Sequence, residues 1–189
     1  MGFTVVYDAC VLYPAPLRDL LVRLAQTDLV TAKWTDLILD ECFRSIQRVR
    51  PDLTSDRLAR SRSLMNRAVR DVLVTGYEPL IDGLVLPDPD DRHVVAAAIR
   101  CGAQAIVTAN RKDFPASALE PLGLAVLHPD EFVLDLLDLA PGVVVRVLNE
   151  QTRALRSPPR ELVEVLATLE NNGLAWSTAE LRRLMGMED

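Results

Sequence analysis

The chain opens on an apolar run, Phe3 to Tyr7, rich in β-branched and aromatic side chains, that stops at Asp8. Such a run bounded by a polar residue predicts a buried strand. Pro14 and Pro16 then precede Leu17, Leu20, Leu21 and Leu24, whose spacing puts them on one face of a helix. A short apolar piece from Leu29 to Ala32 predicts a second strand. Thr35 follows as the N-cap of a helix carrying Leu37, Ile38, Cys42, Ile46 and Val49, which Pro51 stops. Thr54 or Ser55 opens another helix, with Leu58, Leu64, Met65, Ala68, Val69 and Val72 on its apolar stripe and arginines opposite, and Gly76 and Pro79 close that unit.

The segment from Leu86 to Phe114 is the densest in signals. Pro87 to Pro89 is a loop, Asp90 or Asp91 opens a helix through Ala98, Gly102 marks its end, and Ala105 to Thr108 reads as a buried strand. Leu124 to Leu127 is a last short strand, and Pro129 begins a leucine-rich helix to about Leu139. Strands that alternate with helices imply parallel pairing, so the expected fold class is α/β, a parallel-sheet α/β/α sandwich. Beyond Pro141-Gly142 no strand signal remains. Val144, Val145, Leu148, Thr152 and Leu155 form one helical stripe. Ser157-Pro158 starts a second helix bearing Leu162, Val165, Leu166 and Leu169 and ending at Gly173, and Ser177 with Glu180 is a capping box for a third. The expected organisation is an α/β domain over residues 1–140 and a helical C-terminal extension over 141–189, whose plainest use is packing on the core or clasping a dimer.

Composition narrows the function. The 189 residues are 49% hydrophobic and 5% aromatic, enough for a sizeable core. Cys10, Cys42 and Cys101 form no CxxC pair, and His93 and His128 are the two histidines, so neither a disulfide framework nor a zinc cluster is expected. No apolar run reaches the roughly 18 residues of a membrane span, and the N-terminus lacks the pattern of a signal peptide, which together predict a cytoplasmic protein with no membrane partner. A net charge of -6 argues against coating nucleic acid by bulk charge. The layout is uneven, however: Arg44, Arg48, Arg50, Arg57, Arg60, Arg62, Arg67 and Arg70 face only Asp52 and Asp56 in the same segment. That segment is either a solvated helix face or a surface that grips phosphates through guanidinium pairs.

In an open parallel sheet, residues just past the carboxyl ends of the strands share one crevice. Asp8 follows the first strand, Asn110 and Asp113 follow Ala105 to Thr108, Asp91 opens the helix leading into that strand, and Glu41 lies about one turn into an earlier helix. Each has an ordinary alternative use as a turn, cap or helix-dipole residue, and a strand-end Thr108 is ordinarily structural. If they converge, packed carboxylates repel one another unless a cation compensates, and oxygen ligands of this kind suit Mg2+ or Mn2+. Such a centre serves phosphoryl chemistry. Two other sites are excluded: no glycine-rich loop follows the first strand, and Cys10 stands where an aspartyl-phosphate phosphatase needs a second Asp.

Four blocks carry a family resemblance: Val5-Val6-Tyr7-Asp8-Ala9-Cys10-Val11-Leu12, Leu39-Asp40-Glu41-Cys42, Asp88-Pro89-Asp90-Asp91-Arg92-His93-Val94-Val95-Ala96-Ala97-Ala98, and Ile106-Val107-Thr108-Ala109-Asn110-Arg111-Lys112-Asp113-Phe114. Over about residues 3–135 the sequence resembles the PIN-domain nucleases, in particular the VapC-type toxins of bacterial toxin–antitoxin systems. The resemblance implies a PIN-like nuclease domain and a Mg2+- or Mn2+-dependent ribonuclease hydrolysing RNA phosphodiester bonds. Asp8, Glu41 and Asp91 match three acids of the family site, and Asn110 stands where a fourth acid is usual, with Asp113 the nearest carboxylate. Asp8 and Asp91 are then the principal metal ligands, Asp113 or Asn110 completes the shell, and Glu41 positions a water or acts as base. The resemblance also implies a cognate antitoxin over the cleft and a homodimer. The amide at Asn110 motivates one rival, a catalytically weak PIN-like module that binds RNA or protein.

Overall fold

The computed structural model describes residues 3–187. Four strands, β1 (Phe3–Tyr7), β2 (Val30–Lys33), β3 (Ala105–Val107) and β4 (Ala125–Leu127), form one sheet in the order β2-β1-β3-β4. Every pairing is parallel, with Val5 opposite Ala32 and Ala105, and Ile106 opposite Val126. Val5, Val6 and Tyr7, and all of β3, are buried, which is why these segments read as continuous apolar runs rather than alternating ones. Because the strands run the same way, Asp8, Thr35, Thr108 and His128 all lie just past carboxyl ends at one edge.

The helices are α1 (Ala9–Leu12), α2 (Ala15–Leu24), α3 (Asp36–Val49), α4 (Ser55–Ala68), α5 (Glu78–Ile81), α6 (Arg92–Cys101), α7 (Ala116–Leu119), α8 (Pro129–Leu139), α9 (Pro141–Ala154), α10 (Leu162–Asn171) and α11 (Ala175–Leu184). Thr35 caps α3 as expected, its hydroxyl accepting from the Ile38 amide at 3.0 Å. Gly102, at φ 65°, ends α6 in the left-handed conformation that glycine adopts without a Cβ penalty. No helix among the described residues is long and apolar enough to cross a membrane.

Several expectations shift for local reasons. The second strand sits one residue later than expected, and Val69 and Val72 leave the stripe of α4 because the chain turns extended there. The Trp34 amide donates to the Val72 carbonyl and the Val74 amide to the Trp34 carbonyl, prolonging the sheet edge. On α3, Leu37 and Val49 are exposed while Leu39 and Phe43 are buried; Leu64 is exposed on α4. Neither Asp90 nor Asp91 caps α6 with its side chain: the Asp88 carboxylate accepts from the Asp90 amide and starts a 3-10 turn, Pro89–Asp91, that feeds the helix. The helix expected from Ser157-Pro158 begins only at Leu162, where Glu161 and Glu164 form the capping box, residues 156–159 being a tight turn.

Ser177 is not a cap either. It lies inside α11, where the buried carboxylate of Asp130, from α8, accepts from the amides of Trp176 and Ser177 at 2.8 Å each and from the Ser177 hydroxyl. An anion at the amino end of a helix satisfies donors that have no intrahelical partner and meets the positive end of the helix dipole. This contact anchors the last helix on the core, and Val144, Leu148, Leu166, Leu169 and Leu181 join the same apolar cluster as Val5 and Tyr7. Asp130→Ala strands those donors and should cost about 2–3 kcal/mol in urea denaturation. A loss below about 0.5 kcal/mol, the scale of an ordinary surface change, would contradict this role.

Candidate active site

The site is built at the carboxyl edge of β1 and β3. Asp8 leaves β1 with its amide bonded to the Val107 carbonyl, and its side chain is only 5% exposed. One carboxylate oxygen accepts from the Ala9 amide at 2.6 Å; the other accepts from the Thr108 hydroxyl at 2.7 Å and the Cys10 thiol at 3.1 Å. Thr108 in turn accepts from the Asn110 amide at 3.0 Å. The buried carboxylate is thereby held in one orientation by donors on both strands' exits.

Asp8, Glu41, Asp91 and Asn110, with Ala9, Cys10, Tyr13, Cys42 and Ser45, line one open cavity of about 400 Å³. Four of the five residues expected to form a site therefore meet around a common space. The fifth, Asp113, sits beside them: the Asn110 side-chain amide donates to its carboxylate at 2.5 Å, and one oxygen each from Asp88, Asp91 and Asp113 lie within 4.8 Å of one another. Asn110 and Asp113 are thus a bonded pair rather than two separate choices.

The electrostatics follow from this crowding. Asp91 is pushed up to about 7, first by burial and then by the charges of Asp8, Asp88, Asp113 and Glu41. Among the described residues no Lys or Arg makes an ion pair with any of these five carboxylates. The Cys10 thiol is pushed up to about 12 by burial and by the Asp8 charge, so it is a donor here and not a thiolate nucleophile. Glu41 meets His93, with Oε1 and Nε2 3.0 Å apart.

Three participants escaped the sequence reading. Asp88 falls in the loop expected from Pro87 to Pro89, and its place in the same Pro-Asp-Pro-Asp-Asp run as Asp91 is the signal for it. Cys10 served only to exclude a phosphatase. For His93, which the sequence offers as one of two histidines without a zinc ligand set, the position two residues after Asp91 is the available signal.

The arginine segment divides in two. Arg62 is tied to Asp36 and Asp40, and Arg50 to Asp52. Arg44, Arg48, Arg57, Arg60, Arg67 and Arg70 are exposed and lack a close ion pair among the described residues. On α3, Arg44, Ser45 and Arg48 follow Glu41 at three, four and seven residues, one continuous side of the helix leading away from the cavity.

Comparison with known proteins agrees with this architecture. Residues 129–183 match the VapC50 C-terminal domain family. A protein of Mycobacterium tuberculosis (strain ATCC 25618 / H37Rv), "Putative ribonuclease VapC50", is 48% identical over 69 residues, a match that takes in 36% of this chain and 41% of the relative. The chain thus spans less than half of that relative's length in the match. No solved structure matches. Residues 4–112 match the PIN domain; the match runs over more than half of the chain and takes in Asp8, Glu41, Asp88, Asp91 and Asn110, stopping one residue before Asp113. The chain belongs to the PIN domain family.

Proposed function

We propose that this protein is a metal-dependent endoribonuclease acting as the toxin of a VapBC-type toxin–antitoxin system. The observation that carries the reading is the convergence of Asp88, Asp91 and Asp113 beside Asp8 and Glu41 with no Lys or Arg paired to them among the described residues. Membership in the PIN domain family and the name of the mycobacterial relative support the same chemistry.

The residues present fit a divalent ion. Their donors are hard oxygens, the nearest three are within one ion's reach of one another, and the charge they accumulate is uncompensated. Asp91 and Asp8 would hold the ion, directly or through water, with Asp113 and Asp88 completing the shell. When bound, Mg2+ or Mn2+ supplies a Lewis acid for a phosphate oxygen and makes an activated water available at neutral pH. The chain's own residues do the rest. Thr108 and Cys10 keep Asp8 aimed, Asn110 keeps Asp113 within reach of Asp91, and Glu41 orients the water or takes its proton. Arg44 and Arg48 would receive the phosphates of an RNA strand leaving the cavity.

An antitoxin peptide covering the same cavity and a homodimer belong to this reading. The amide of Asn110, donating to Asp113 in a site otherwise built of carboxylates, favours one rival, a PIN-like module that binds RNA or protein with little catalysis.

Incubation with a pool of cellular RNAs should give cleavage with Mg2+ or Mn2+ and none with EDTA. Asp8→Asn and Asp91→Asn should each lower the rate by more than about 100-fold, beyond the 10- to 100-fold typical of residues that only support a ligand. Equal cleavage by all three proteins, or none under any metal, removes the nuclease assignment. The raised Asp91 gives a second test. Its carboxyl loses its proton near 3.8 when unfolded and near 7 when folded and metal-free, so between these values the folded state binds more protons and stability falls as pH rises. In EDTA the wild type should therefore lose melting temperature relative to Asp91→Asn as pH rises from about 4 to 7, and Mn2+ should reverse the loss. A difference that stays constant with pH would contradict the crowding.

A further inference from the structure

Glu41 enters the cavity under an opposing force. A carboxylate there stands among other acids, its charge opposing ionisation of Asp91, and its side chain is long, rotamer-rich and one-third exposed, so solvent is the easier place for it. Something must hold it inward. His93, 4% exposed, is behind it: Nε2 lies 3.0 Å from Glu41 Oε1, and Nδ1 is buried without a hydrogen-bond partner. His93 is not among the residues that line the cavity, and its hydrogen bond to the site is the one to Glu41.

The two ring nitrogens fix where the proton sits. An ionised carboxylate only accepts, so Nε2 must donate to it. A proton on Nδ1 would be a buried donor with no acceptor, whereas a bare Nδ1 lone pair there costs less. We infer that His93 is a positioning residue: as the Nε2–H tautomer it donates to Glu41 Oε1 and holds that carboxylate in the acidic cavity with Oε2 free toward the site. Asp91 and His93 both belong to the start of α6, so one short segment supplies an acid of the cluster and the donor that keeps an acid of α3 beside it.

The inference deepens the nuclease reading and rests on it for its kinetic arm alone. That arm compares His93→Leu, His93→Gln and His93→Asn in RNA cleavage with Mn2+. His93→Leu should lower kcat by about 10- to 100-fold with KM for RNA unchanged. His93→Gln, whose amide nitrogen reaches about as far as Nε2, should recover most of the rate; His93→Asn, which is shorter, should not. Should His93→Leu fail to fold, judged by its melting curve, the Gln and Asn variants decide, and equal rates in those two overturn the inference. The second arm needs no activity: long-range 1H–15N NMR of the imidazoles in the wild type should show His93 protonated at Nε2 and bare at Nδ1, with slow exchange of the Nε2 proton that is lost in Glu41→Ala. A proton on Nδ1, or exchange indifferent to Glu41→Ala, overturns it. A wild type that cleaves no RNA but shows the Nε2–H tautomer bound to Glu41 sinks the nuclease reading and sustains the positioning role.

Discussion

Repulsion among carboxylates is the constraint around which this molecule is arranged. Left to solvent, Asp8, Glu41, Asp88, Asp91 and Asp113 would separate; the fold brings them to one edge of a parallel sheet, and burial first, then the charges of the other four, push Asp91 up to about 7. On the nuclease reading proposed above, a divalent cation would recover that cost, because hard oxygen donors suit such an ion. The sheet supplies the positions, because parallel strands deliver β1 and β3 to the same edge, and the buried Val5, Val6, Tyr7 and Ile106 make that edge rigid.

Three acids have a neutral donor at their back. Asp8 has the Thr108 hydroxyl and the Cys10 thiol, Asp113 has the Asn110 amide, and Glu41 has His93. Arginines in the same places would hold the carboxylates as well and would also discharge them, leaving nothing for a metal to neutralise. Neutral donors orient without cancelling charge. In this light Asn110 is a support for Asp113 as well as a departure from a fourth acid, and Arg44 and Arg48 of α3 are exposed to solvent.

The polar residues at strand and helix ends were legible because chemistry and topology coincide there: Asp8 after an apolar run, Asp91 before a helix, Asn110 and Asp113 after a strand. β1 and β3 were legible because burial on both faces writes itself as apolar runs, and most helices because their apolar residues recur at helical spacing. What the sequence did not reveal depends on contacts distant along the chain. Asp130 binding the start of α11, 47 residues away, left Ser177 looking like a cap. Val69 and Val72 looked helical until Trp34 paired beside them. The roles of His93 and Thr108 are hidden in the sequence because the carboxylates they meet, Glu41 and Asp8, lie 52 and 100 residues away.

The claim that the acids are held together against repulsion until a cation arrives predicts a proton count. Calorimetric titration of the wild type with Mn2+ near pH 6, repeated in buffers of different ionisation enthalpy, should show release of close to one proton per ion, because Asp91 carries a proton there in the metal-free protein. The same titration of Asp91→Asn should show weaker binding and no such release. A wild-type binding enthalpy that is independent of buffer, or an isotherm that Asp91→Asn leaves unchanged, would contradict the account.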